Sequence, residues 1–277
     1  QRIIKELSVL SGQSIFEQDT LIIFDEIQAC EKALTSLKYF NENDNEYHII
    51  AAGSLLGVAV NREKYNFPVG KVDMMTLYPL DFEEFLMALG KSDLIALIRE
   101  YYKTQEEFPF HEMAMDLYRT YLVVGGMPAA VSDYIENQDF NFVLSVQKTI
   151  NDSYIADMAK YAIATETVKI MASYQSIPAQ LAKENKKFQY KVIKSGARAH
   201  EYELSISWLN STGVITRVNK VREGSSPLIA FVEYDSFKVY QTDVGLLFSK
   251  FGFPADKILH ADPSLNSIKG TLTENYV

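Results

Sequence analysis

The residues best placed to do chemistry stand at Asp25 and Glu26, directly after the apolar run Leu21 to Phe24 in LIIFDEIQ. A short continuous apolar run is the pattern of a strand buried on both faces of a parallel sheet. A carboxylate pair at its end then lies at the carboxyl edge of the sheet, where ligands bind in open α/β folds. Hydrolysis of a nucleoside triphosphate needs one carboxylate near Mg²⁺ and a second to orient or deprotonate the attacking water. An exposed acidic pair that merely closes a strand has the same sequence. A second strand, HIIAA at 48–52, ends in Gly53-Ser54, where a hydroxyl could sense a terminal phosphate; a plain Gly-Ser turn reads the same. Both motifs on consecutive strands favour the nucleotide reading.

Other chemistry has less support. Phosphate cradling requires GxxxxGK[ST] ahead of the acidic strand. Only 24 residues precede Asp25, and Gly12 is their one glycine. Gly90-Lys91-Ser92 comes after that strand and has Phe85 where the first glycine belongs, so it reads as a helix end followed by a helix start. Arg62 and Lys71 are basic residues after the second strand, and neither fits a motif. Lys183, Lys186, Lys187, Lys191, Lys194 and Arg198 make a local basic stretch beside Glu184 in a chain of net charge -9. Such a stretch suits phosphate contacts with DNA, or is a solvated helix face or a structural arm. His48, His111, His200 and His260 lie far apart, without metal-site spacing, and Cys30 reads as a buried residue at a helix start. No G-x-S-x-G elbow is present.

The elements that must position these groups follow from periodicity. Ala33, Leu34, Leu37 and Phe40 give a helix between the two strands, and strand, helix, strand reads as a right-handed parallel crossover. Val72 to Leu77 reads as a third apolar strand ending at Tyr78-Pro79, and Phe82, Phe85, Leu86 and Leu89 line another helix. From about 91 to 160 the pattern is helical, interrupted at Gly125-Gly126 and Pro128. Three helices are then expected, at 166–174, 177–188 and 199–210, the last with Tyr202, Ile206 and Leu209 on one face. Two strand-like runs follow, VITRVNKV and LIAFVEY, which together make the winged helix-turn-helix order. KVYQTDVGLLFSK begins a further unit, and the chain closes on ENYV. A single cysteine can form no intrachain disulfide, and no apolar run approaches the ~20 residues of a membrane helix, so a cytoplasmic protein without membrane contact is expected.

These segments resemble the bacterial and archaeal AAA-superfamily P-loop ATPases that carry a C-terminal domain of unknown function. LIIFDEIQ, AAGSLLG, FPVGKVDMMTLYPLDFEEFL, YLVVGGMPAAV, SIPAQLAKENKKFQYKVI, FKVYQTDVGLL and GTLTENYV occur in family order across nearly the whole chain. The resemblance implies an α/β fold: a partial P-loop NTPase parallel sheet, a helical lid, a winged helix-turn-helix and the start of an α/β C-terminal domain. The expected divisions are an ATPase core without its phosphate loop at 1–90, a lid at 91–160, a winged helix at 161–225 and the start of an endonuclease-like domain at 226–277. It implies ATP and Mg²⁺ as cofactors, a Walker B role for Asp25 (through Mg²⁺, by way of water) and Glu26 (water activation), and a sensor role for Ser54. It makes Glu274 the first acidic position of the endonuclease-like fold, allows oligomers, and admits DNA as a partner. The sequence is expected to be truncated at both ends and, without the loop, to bind ATP weakly or not at all. A non-hydrolysing DNA-binding or scaffold module on an ATPase-derived fold is the other reading.

Overall fold

The computed structural model describes residues 2–53, 70–162, 164–183, 185–259 and 266–277. The chain divides into two compact units, 1–77 and 78–277.

In the first unit α1 (Arg2–Ser11) precedes β1 (Leu21–Phe24), α2 (Glu31–Asn43) and β2 (His48–Ala51). The two strands pair in parallel, Leu21 opposite His48 and Phe24 opposite Ala51, so the crossover expected from periodicity is present. Leu34 and Phe40 are buried on α2, and Ile4, Ile22 and Phe40 form a small core that Phe24 and Ile49 flank. β1 is covered on one face only. Ile22 is buried, but Leu21 and Ile23 are more than half exposed, as is Ile50 on β2. Alternation replaces the expected two-faced burial because α1 and α2 both supply the one core that holds Ile22 and Phe40. Val72 to Leu77 forms no strand, and Met74, Met75 and Leu77 are exposed. Cys30 heads α2 as expected but is exposed rather than buried.

The second unit begins with α3 (Phe82–Ala88), α4 (Ser92–Thr104), α5 (His111–Val124), α6 (Pro128–Asn137) and α7 (Phe140–Tyr161). Asp81 and Glu84 start α3 with a reciprocal capping box: Glu84 N–H donates to Asp81 Oδ1 at 2.8 Å, and Asp81 N–H to Glu84 Oε2 at 2.9 Å. Gly90, at φ 70°, lets the chain leave α3 in the left-handed region before Ser92 opens α4, so the GKS triplet is a helix junction.

Then come α8 (Ala164–Leu181), α9 (Tyr190–Ile193), α10 (Ala199–Ser211) and an antiparallel ribbon of β3 (Ile215–Val221) and β4 (Val232–Gln241). α8 runs unbroken where two helices were expected, with Pro178 inside it. Ile170, Tyr174, Ile177 and Leu181 are all buried at helical spacing, and their burial outweighs a proline penalty of about 3 kcal/mol. LIAF at 228–231 is a 3-10 turn rather than strand, and β4 starts one residue later. α11 (Val244–Phe251), α12 (Ala255–Leu259) and α13 (Asn266–Tyr276) complete the unit.

A buried polar network ties these elements together. Tyr174 Oη donates to Asn151 Oδ1 at 2.6 Å, and Gln241 Nε2 donates to Tyr174 Oη at 3.1 Å. Asn151 Nδ2 donates to Ser249 Oγ at 3.0 Å. Asp243 joins two sequence motifs far apart in the chain. Its carboxylate caps α11 by accepting Leu246 N–H at 2.8 Å and also accepts Gly126 N–H at 2.7 Å. Burial pushes Asp243 up to about 6, although the N–H groups of Gly126, Leu246 and Gly245 pull the other way. Burial also pushes the Lys250 ammonium down to about 6, and its Nζ lies 3.1 Å from the centre of the Tyr174 ring. Among the described residues no helix is long and apolar enough to cross a membrane.

Candidate functional site

Asp25 and Glu26 leave the carboxyl end of β1, and the parallel ladder continues beside them. Ala52 N–H donates to Phe24 O at 2.8 Å, and Ile27 N–H donates to Ala52 O at 3.1 Å. The acidic pair therefore stands abreast of Ala52, one residue before Gly53. Ser54 and Arg62 lie outside the described residues.

The backbone at the pair is unusual. Glu26 adopts φ 50°, ψ 41°, a left-handed conformation that glutamate rarely takes and that costs about 1 kcal/mol or more. Two contacts hold it there. Asp25 Oδ1 accepts Glu26 N–H at 2.9 Å, and Gln28 Nε2 donates to Glu26 Oε2 at 2.6 Å. Both carboxylates remain exposed. Gln28 is 9% exposed, and a Cβ on Gly53 would stand 2.1 Å from its Oε1. Glycine at the end of β2 thus gives Gln28 the space from which it reaches Glu26. Gln28 and this use of Gly53 were not assigned from the sequence; the only signal was a glutamine two positions after the glutamate.

The donor set suits a hard cation. Oxygen ligands from one or two carboxylates, shared with water and substrate phosphates, are how Mg²⁺ is usually held. Asp25, exposed and with one oxygen fixed by a main-chain N–H, could hold it. Among the described residues no three His, Cys, Asp or Glu side chains gather into a metal site. Lys71 pairs with Glu42 at 3.3 Å.

The basic stretch does not act as one set. Lys183, Lys187, Lys191, Lys194 and Arg198 are exposed. Lys186 instead points inward, 16% exposed, with Nζ 2.5 Å from Glu274 Oε2. Lys238 Nζ at 2.6 Å and Tyr240 Oη at 2.7 Å donate to Glu274 Oε1. Partial burial would raise the Glu274 carboxyl, but these three donors hold it down to about 2. The exposed positions of α10 include His200, Glu201, Leu204 and Ser207, and the helix contains no lysine or arginine.

A family model described as a domain of unknown function, DUF8612, matches residues 115–257, more than half of the chain. The chain belongs to the DUF8612 family. The matched region runs from α5 into α12 and so holds Asp243, its Gly126 partner and the β3–β4 ribbon. Residues 2–86 match the model of an AAA domain, which covers both strands and the acidic pair. Among solved structures, the Walker-type ATPase PABY2304 of Pyrococcus abyssi superposes with a TM-score of 0.50 at 15% identity, over 90% of this DUF8612 chain and 66% of that chain. This likeness is one of fold, and the chain spans just under two thirds of that structure's length. No curated protein sequence matches. Residues 2–86 thus match an AAA domain, and the small parallel sheet of β1 and β2 is consistent with part of a P-loop NTPase fold.

Proposed function

We propose that the first part of this chain is the acidic edge of an ATP-hydrolysing site. Asp25 holds Mg²⁺ through water, Glu26 orients the attacking water, and Ser54 senses the terminal phosphate. The observation that carries this reading is the strained Glu26, fixed by Gln28 at the carboxyl end of β1 and abreast of the end of β2. A glutamate held in a costly conformation with its carboxylate exposed is expected where positioning matters more than stability. Mg²⁺, when bound, neutralises charge on the phosphate oxygens.

The nucleotide state is coupled, in this proposal, to the second unit, with 91–160 as a lid and 161–225 as a winged-helix arm. Support for the arm is the order α8, α9, α10, β3 within those bounds, completed by β4 just beyond residue 225, which is the order of a winged helix-turn-helix. In the same reading residues 226–277 belong to an endonuclease-like domain, the location is cytoplasmic, and oligomers are allowed.

Calorimetry with Mg²⁺ and ATP tests the reading on this chain and on a form extended upstream in the parent gene by about one βα unit, roughly 60 residues. The expected result is binding by the extended form, and Glu26→Gln that keeps binding and stops turnover. If neither form binds, the acidic pair has no nucleotide role. The five exposed cations of 183–198 would then favour the second reading, a non-hydrolysing DNA-binding or scaffold module.

A further inference from the structure

Glu274, in the last turn of α13, receives three donors from two different elements: Lys186 from the segment after α8, and Lys238 and Tyr240 from β4. The two β4 donors are two residues apart, so they share one face of the strand. Two ammonium groups and a hydroxyl around one carboxylate leave the cluster with an excess positive charge. A phosphate group carries about -1.5 to -2 at neutral pH and at least three acceptor oxygens, so it matches both the charge and the donor count better than a carboxylate does. The cluster opens to solvent on its Lys238 side, where the Lys238 side chain is 45% and Glu274 33% exposed, while Lys186 forms its more buried wall.

α13 does not depend on Glu274 for its place. Thr271 Oγ1 donates to Leu181 O at 3.1 Å, and Leu272 is fully buried. Asn275 brackets the main chain of Gln241, accepting its N–H and donating to its O, each at 2.9 Å. The Tyr276 ring packs edge-on against Tyr118 and Tyr121, with centroids 5.6 and 5.2 Å apart. The Glu274 side chain can therefore rotate outward while the helix stays docked.

We infer that Lys186, Lys238 and Tyr240 form a phosphate-class oxyanion site that Glu274 fills in cis. The carboxylate competes with the incoming anion, whether that is free phosphate or a phosphate of a nucleic-acid backbone. This inference is independent of the nucleotide reading of the first unit.

Glu274→Gln removes the competing charge and keeps the side chain's shape. Calorimetry with inorganic phosphate is expected to show binding about tenfold tighter than in the parent chain, the worth of one charge-assisted hydrogen bond. Adding Lys186→Gln or Lys238→Gln to the variant is expected to abolish the gain. A single-stranded oligonucleotide then separates the two sources. A backbone ligand steepens the slope of log K against log salt by about 1.4 for two added lysine contacts. A free-phosphate site leaves the slope unchanged while the phosphate gain persists. Phosphate binding by Glu274→Gln no tighter than the parent's overturns the inference. Should the variant unfold, millimolar phosphate is expected to restore the native emission of Trp208 where chloride at equal ionic strength does not. Failure of that rescue also overturns it.

Discussion

Gly126→Ala tests the packing around the GGMP segment with a magnitude set by the coordinates. A Cβ at Gly126 would lie 1.9 Å from Leu80 O, about 1.5 Å short of the 3.4 Å where ordinary contact begins. The obstacle is backbone rather than the end of a flexible side chain. Leu80 is held in place by its N–H to Gly126 O at 2.8 Å and by Tyr121 Oη, which donates to Leu80 O at 2.8 Å. Making room breaks both hydrogen bonds, each worth about 1 kcal/mol, and adds an overpacking cost of about 1–3 kcal/mol. The total, about 3–5 kcal/mol, is a large share of a typical ~5–15 kcal/mol domain stability. Gly270→Ala is the matched control. It lies inside α13, nothing stands within 4 Å of a Cβ there, and alanine is favoured over glycine by about 0.5–1 kcal/mol. Urea unfolding followed by Trp208, the single tryptophan and part of the second unit, reads both variants. With a slope of ~2 kcal/mol/M, Gly126→Ala should lower the midpoint by about 2 M, and Gly270→Ala should raise it slightly. Equal midpoints for the two variants, or a loss below about 1 kcal/mol for Gly126→Ala, would refute the reasoning.

Lys250→Met removes a buried ammonium whose folded pKa of about 6 lies far below its ordinary 10.5. Between those values the unfolded chain binds the proton that the folded chain gives up, so parent stability rises with pH through this window. The variant should be more stable than the parent by a few kcal/mol near pH 6–7, the two converging toward pH 10 in denaturant titrations; parallel curves would contradict this. Arg217→Ala strips the β3–β4 ribbon of a guanidinium that bonds Glu203, donates to Tyr234 O at 2.8 Å and lies 3.9 Å over the Phe237 ring. A loss of about 2–4 kcal/mol is expected in thermal melts, and Arg217→Lys should recover only part of it. In the extended, nucleotide-binding form, Gln28→Ala should lower turnover roughly ten- to a hundredfold with ATP affinity nearly unchanged, because Glu26 loses its fixed position. Equal turnover would reduce Gln28 to packing.

The parallel pair of the first unit was legible because two short apolar runs flank an amphipathic helix, and such a crossover admits few topologies. The acidic edge was legible for the same reason: residues after a parallel strand emerge at its carboxyl end. What escaped was set by contacts between distant residues. Pro178 reads locally as a helix start, and only the buried stripe from Ile170 to Leu181 shows that the helix runs through it. Lys186 resembles its exposed neighbours in sequence, but Glu274, 88 positions away, turns it inward. Gln28 could be assigned only once Gly53 was seen to leave room for it. Cys30 looked apolar enough to bury, yet it falls on the exposed side of the turn that leads into α2.

The end of α13 has a consequence for which length changes the chain tolerates. Glu274, Asn275 and Tyr276 are consecutive, and successive helix positions are about 100° apart, so their three anchor points span more than half of the helix circumference. They engage the lysine pair, the edge of β4 and the tyrosines of α5, respectively. Deleting one residue within 267–270 would turn all three side chains by that angle and draw them back by ~1.5 Å, detaching every anchor together. A substitution at any one of them removes a single anchor. This helix should therefore tolerate point replacement far better than a change of length by one.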